Sequence, residues 1–242
     1  MAYDYLGLTN EVLSRMNEVE LTSATFNTAR GFQIQCKNAV NDSINYINQR
    51  EFGWPFNHQL YFQRLSANQS RFPLPASTKH VDYETFRIIH DPVLGAPSRS
   101  LRVMDYKDYA DSYIAQEDDH VNSITNGGIP THVFRAPNDE FGLYPYPNLD
   151  IQIKFDYYLI RPQLAAATDV PYIPEQFRQV IVDGATAYGY QYRGESQQYG
   201  INFARFEEGI KHMQSILLNR TDYVRSTYIP HSQRYGTNVA GF

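Results

Sequence analysis

The spacing of apolar residues changes twice along this chain, and that change limits the fold more than any other feature. Up to about Arg50, and again from Pro174 to Leu218, apolar residues recur every three or four positions; between those stretches they alternate. Thr9 is placed to cap a short helix from Asn10 to about Asn17. A longer helix is expected to enter through Thr22-Ser23 and run to about Arg50. Its apolar stripe is Phe32, Cys36, Ala39, Val40, Ile44 and Ile47, and its polar face is Gln33, Lys37, Asn41, Asn45 and Asn48. Gly53 ends it, and Trp54-Pro55-Phe56 makes an aromatic corner.

The middle of the chain reads as short strands with turns between them: Leu60 to Leu65, Val81 to Ile89, Arg99 to Met104, Thr131 to Ala136 and Asp139 to Tyr144. The clearest strand runs from Asp150 to Ile160. There Ile151, Ile153, Phe155, Tyr157 and Leu159 alternate with Gln152, Lys154, Asp156 and Tyr158, which predicts a half-buried strand. Lys107 to Gln116 reads as a short helix, and Asn126-Gly127-Gly128 with Pro130 as a turn. Helix returns after Pro171, with Pro174 in a first turn. Phe177, Val180, Ile181, Gly184, Ala185, Tyr188 and Tyr192 form its stripe, Gly184 and Ala185 permit close packing, and Gly194 breaks it. A last helix from about Gln197 to Leu218 presents Phe203, Phe206, Ile210, Met213 and Leu217. The expected fold is α+β: N- and C-terminal helices form a bundle, and an antiparallel β-rich domain is inserted between them. The expected division is 1–56 plus 165–218 for the bundle, 57–164 for the β-rich domain, and 219–242 for an extended C-terminal arm.

That arm has no period, and Pro and Gly interrupt its scattered apolar residues. Alone in water it cannot bury enough surface to offset the entropy of ordering. It carries three Arg against one Asp in a chain of net charge -5. Tyr and Arg are the residues that anchor protein interfaces. The arm is therefore expected to order on a partner, a neighbouring copy or another protein, through Arg220, Tyr223, Arg225, Tyr228, Arg234, Tyr235 and Phe242. The alternative is a frayed terminus without a role.

Composition narrows the function classes. The 20 Tyr and 14 Phe, with Arg far outnumbering Lys, suit a chain covered by other protein, or a Tyr-rich β core. Mild acidity argues against nucleic-acid binding by the whole surface. The single cysteine, Cys36, forms no intramolecular disulfide, which fits a reducing compartment. Met1 to Tyr5 lacks the start of a signal peptide, and no apolar run is long enough for a bilayer, so a soluble protein without a membrane partner is expected. The sequons at Asn41, Asn68 and Asn219 then carry no meaning.

No catalytic motif is present among those searched: nucleophile elbow, phosphate loop, zinc-protease helix or dinucleotide fingerprint. The seven His residues are scattered. Glu117-Asp118-Asp119-His120 holds cation-binding side chains, but without a loop spacing it reads as a solvated acidic loop. Asp139-Glu140 has the chemistry of half a glycosidase carboxylate pair with no identifiable partner. Cys36 falls on an apolar stripe and reads as a small core residue. Neither a metal nor a cofactor is expected, and the chain is not expected to be an enzyme.

Two segments carry a family resemblance. One is Arg50-Glu-Phe-Gly-Trp54-Pro-Phe56-Asn57, at the end of the long helix. The other is Phe141-Gly-Leu143-Tyr144-Pro145-Tyr-Pro147, followed by the strand Asp150 to Ile160, Arg161-Pro162, Thr168-Asp169, and Pro174-Glu175-Gln-Phe177 leading into the helix ending at Tyr192. With these, the chain from about residue 8 to 218 resembles the head-to-tail adaptors of short-tailed double-stranded DNA bacteriophages, of the tail tubular protein A type. The resemblance implies a homo-oligomeric ring, usually of twelve copies, in the neck of the virion, assembled in the host cytoplasm. It implies bundles that contact one another and the portal protein, a β domain facing the tail nozzle protein and fibres, and a lumen that passes DNA without reading its sequence. In related adaptors such an arm reaches toward the portal. The main rival is a tail-associated β-domain binding module that recognises a glycan or another tail protein, since Tyr and Trp faces stack on sugars. A carbohydrate hydrolase is the third class.

Overall fold

A computed structural model describes residues 2–89, 98–114 and 127–218. Among them the chain forms five α-helices and eight strands, an α+β fold in which helices from both ends meet and the strands lie between them in sequence. The helices are α1 (Tyr5–Arg15), α2 (Phe32–Arg50), α3 (Tyr106–Ser112), α4 (Arg178–Arg193) and α5 (Ser196–Leu217).

α1 starts earlier than its expected Thr9 cap. Asp4 is the cap, its carboxylate accepting from the Gly7 amide at 2.7 Å. Thr9 lies inside the helix, fully buried, and donates to the Tyr5 carbonyl at 2.7 Å. Conversely, α2 begins at Phe32 rather than near Thr22. Thr22 and Thr25 hydrogen-bond their own turn, a 3-10 turn follows at Phe26–Thr28, and Gly31 adopts a φ of 56° that closes off a continuous helix. Phe26 fills the space so made, edge-on to Tyr5 at 5.1 Å. Gly194, in the left-handed conformation, ends α4.

The expected stripes of α2, α4 and α5 face one another, except that Tyr192, at the end of α4, is 61% exposed and lies tilted against the Phe32 ring at 5.9 Å. Gly184 and Ala185 meet α2 and α5 closely: a Cβ at Gly184 would stand 2.4 Å from Ser43 Oγ and 2.7 Å from the Phe206 ring. One residue assigned to the polar face of α2 is buried. Asn41 donates to Tyr5 Oη and the Leu164 carbonyl and accepts from the Leu164 amide, each at 3.0 Å. Its amide satisfies the backbone of the chain returning from the strands, so it is polar and interior at once.

The strands are β1 (His58–Leu65), β2 (Arg71–Pro73), β3 (Thr78–Ile88), β4 (Arg99–Ser100), β5 (Arg102–Val103), β6 (His132–Ala136), β7 (Glu140–Tyr144) and β8 (Ile151–Leu159). They make two four-stranded sheets, ordered β1-β8-β3-β4 and β2-β7-β6-β5. All pairs are antiparallel except β5 with β6. That pair is parallel because α3 lies on the path between them, and a parallel neighbour needs such a crossover. The expected strand at 99–104 is two short strands in different sheets. β2 was not anticipated, being three residues long and ending in Pro73.

The sheets pack face to face around Phe86, Phe141 and Phe155; Phe86 stacks on Phe155 at 4.2 Å and meets Phe141 at 5.3 Å. β8 buries Ile151, Ile153, Phe155 and Tyr157, as its alternation predicts. α3 then covers the far side of the second sheet. Tyr109 stacks on Phe134 at 4.0 Å, and Gly142 makes room for that ring.

Helices and strands join through named contacts. Trp54 is fully buried and donates to the Ile47 carbonyl at 2.8 Å, with Phe56 stacked on it. Lys79 of β3 donates to the carbonyls of Asn48 and Glu51, groups that the end of α2 leaves without helical partners. Arg161 donates to the Phe56 carbonyl and lies over the Tyr172 ring.

Candidate interaction surface

Strand alternation sends His58, Leu60, Phe62 and Arg64 of β1 to the outer face of the first sheet. Leu65 points inward to the sandwich core, and Tyr61 packs against it. The register sets Leu60 opposite Asp156 and Phe62 opposite Lys154. Leu60 is 47% exposed, Phe62 52%, and Phe52 and Ile160 more so. At the end of the sheet nearest the helices an aromatic strip crosses three strands. Phe52 meets His80 at 4.7 Å, His80 meets Tyr158 at 6.2 Å, and Tyr158 meets His58 at 5.6 Å. Scattered exposed apolar residues are ordinary; a set gathered on one sheet face marks a contact surface.

The electrostatics of this face are mixed. Asp82 and Asp156 stand directly opposite one another on β3 and β8, an unfavourable like-charge pair, and His58 Nε2 lies 3.6 Å from Asp156. Partial desolvation holds the His80 imidazole below its ordinary pKa of 6.5, with Asp82 opposing and Arg135 and Lys79 reinforcing. His132, on β6 of the other sheet, is lowered in the same way by burial and by Arg102 and Arg99.

A cavity of about 620 Å³ opens near the start of α3, its walls including Lys79, His80, Tyr83, Met104, Arg135 and Asp139. The Tyr83 hydroxyl is buried there without a hydrogen-bond partner among the described residues. Asp139 belongs to the β6–β7 turn, where it and Asn138 have positive φ, and Glu140 is paired in the strand ladder; the two acids are turn and strand-end residues. Cys36 is fully buried, and burial pushes its thiol up to about 12, which suits a core residue rather than a nucleophile. Among the described residues, no three His, Cys, Asp or Glu side chains gather as a metal site. The Glu117–His120 group and the arm residues Arg220, Tyr223, Arg225, Tyr228, Arg234, Tyr235 and Phe242 lie outside the described residues.

Spacing alone places a strand at Leu60 to Leu65 and assigns it no surface, though a local signal is there. Leu60-Tyr61-Phe62 puts large apolar side chains on both faces of one strand, the pattern of a strand contacted from two sides. The strip of Phe52, His80, Tyr158 and His58 escaped sequence reasoning, because only sheet order brings those positions together.

A two-layer β unit joined to packed helices leaves one sheet face aromatic and uncovered among the described residues. The chain belongs to the SU10 adaptor protein family, whose pattern matches residues 3–230. It is thus a phage adaptor, a virion component that meets other head and tail proteins, in a family of structural proteins rather than a known enzyme class. No curated protein matches the chain. Among the described residues no helix is long and apolar enough to cross a membrane.

Proposed function

We propose that this protein is a head-to-tail adaptor that assembles as a homo-oligomeric ring, of about twelve copies by its resemblance to tail tubular protein A adaptors, between the portal protein and the tail nozzle protein. The observation that carries the reading is the family match across residues 3–230. The match runs past the end of α5 at Leu217, so the first part of the arm belongs to the family pattern as well. In this reading the helical part, 1–56 with 165–218, contacts neighbours and portal. The β-rich part, 57–164, turns its open sheet face toward other tail proteins, fibres included. The arm, 219–242, fastens the ring through Arg220, Tyr223, Arg225, Tyr228, Arg234, Tyr235 and Phe242. DNA leaves through the lumen, and the chain catalyses no reaction and needs no cofactor. Ring formation begins in the host cytoplasm, with the arm ordering on its partner at the moment of binding.

The test is co-sedimentation with portal rings. The full chain travels with the portal and appears as a ring in negative-stain images. A chain cut after Leu218 keeps its thermal melting but stays behind. Tyr228→Ala and Arg225→Ala weaken docking without moving the melting temperature. Equal co-sedimentation of the cut and full chains would overturn the role given to the arm. A full chain that ignores portal and nozzle alike would overturn the adaptor reading.

A further inference from the structure

β1 is an eight-residue open edge, and the other long one among the described strands, residues 78–86 of β3 beyond its two pairs with β4, borders the cavity instead. The only described partner of β1 is β8, while β4, β2 and β5, which end the other sheet borders, are two or three residues each. An eight-residue edge bearing exposed Leu60 and Phe62 offers a row of unpaired amides and carbonyls beside an apolar surface. Proteins cover such an edge, because it otherwise captures strands indiscriminately.

The surroundings of the edge specify what fits. The occupant must be extended, matched in length to β1, and rich in aromatic and β-branched residues to lie beside Leu60 and Phe62. A cation in it would lie on the side of Asp156, which β8 sets opposite Leu60 one strand in from the edge. One segment outside the described residues has these properties. Tyr223-Val-Arg-Ser-Thr-Tyr-Ile229 is seven residues long, five of them aromatic or β-branched, with Arg225 within it. Pro230, which cannot donate to a ladder, closes it. The family match ends at the same proline. The segment starts shortly after Leu217 and Leu218, which are packed on the helical core.

We infer that residues 223–229 of one copy add as a strand to the β1 edge of a neighbouring copy, placing Arg225 on the side of the Asp156 carboxylate. The added strand leaves residues 231–242 to reach the portal. Main-chain hydrogen bonds supply the attachment, and Leu60 and Phe62 select the side chains that lie beside them. This inference rests on the ring-forming reading.

Disulfide trapping on the full chain tests it. Cys36, the one native cysteine, is buried and stays unreactive. Phe62→Cys is combined in turn with cysteine at each position from 223 to 229, and portal-bound rings are oxidised. The expected result is a ladder of dimers and higher species, strongest at every second arm position, since alternate residues share a face. Tyr228→Pro abolishes the ladder. Hydrogen exchange on unsubstituted rings gives an independent reading: amides in 58–65 are slowed relative to the free chain, and the slowing is lost with Tyr228→Pro. Rings that form and bind portal without ladder or slowing overturn the inference and leave the adaptor reading intact. A cross-link confined within single chains overturns it too, by showing that the arm returns to its own sheet. Failure of the unsubstituted chain to form any ring overturns both.

Discussion

The two sheets share one core and treat their outer faces oppositely. On the second sheet, Phe134 and Ala136 point away from the sandwich and are buried again beneath α3, with Gly142 giving up its side chain to admit the Phe134 ring. On the first sheet, Leu60 and Phe62 occupy the equivalent outward positions and about half of each stays exposed. Burying the exposed half of each is worth about half of the 1.5–3 kcal/mol that full burial gives such a side chain. The fold forgoes that on one face only. The covered face stabilises the fold, while the open face keeps its apolar surface in solvent.

This contrast predicts how unequal substitutions should be. Phe134→Ala removes a fully buried ring and is expected to cost about 3–5 kcal/mol, read from the denaturation midpoint. Gly142→Ala puts a Cβ about 2.0 Å from that ring, and overpacking there is expected to cost about 1–3 kcal/mol by the same measurement. A smaller effect separates the faces by pH. His80 and His132 are held below 6.5 when folded, so the unfolded chain binds protons that the folded chain refuses. Stability therefore rises with pH through this window and is lost as pH falls from about 6.5 toward the folded values. His132→Gln and His80→Gln should each flatten part of that slope in melting curves. Covering the open face desolvates His80 further, so His80→Gln alone should also flatten the pH dependence of ring assembly. Smallest of all, Phe62→Ala should change stability by no more than about 0.5 kcal/mol while reducing assembly on the portal. If Phe62→Ala melted as early as Phe134→Ala, the open face would be structural and the contrast would fail.

Much of the helical part was legible because its signals are local. Cys36, Ala39, Val40 and Ile47, then Phe206, Ile210 and Met213, lie on the faces their spacing assigns, and Gly184 sits where close packing requires it. The helix starts were less legible. Asp4 outcompetes Thr9 as a cap because it precedes a stripe of Tyr5, Leu8 and Val12 that needs a full extra turn. Spacing places Asn41 on the polar face but could not show that it is buried, since its three hydrogen bonds go to Tyr5 and Leu164, far away in sequence. The candidate surface was visible only in fragments: Leu60 and Phe62 follow one another on a strand, whereas Phe52, His80 and Tyr158 belong to separate elements.

By itself the sequence determined the class of fold, the position and face of the long helices, and the inward side of β8. Each of those depends on a repeat read along a few turns or a few strand residues, which the chain carries wherever it goes. Tertiary structure alone decided which sheet α3 would cover, that β5 would run parallel to β6, and that an aromatic strip and two facing aspartates would share the uncovered sheet. Those outcomes depend on which strands become neighbours, and sheet order joins positions some hundred residues apart that no local period relates.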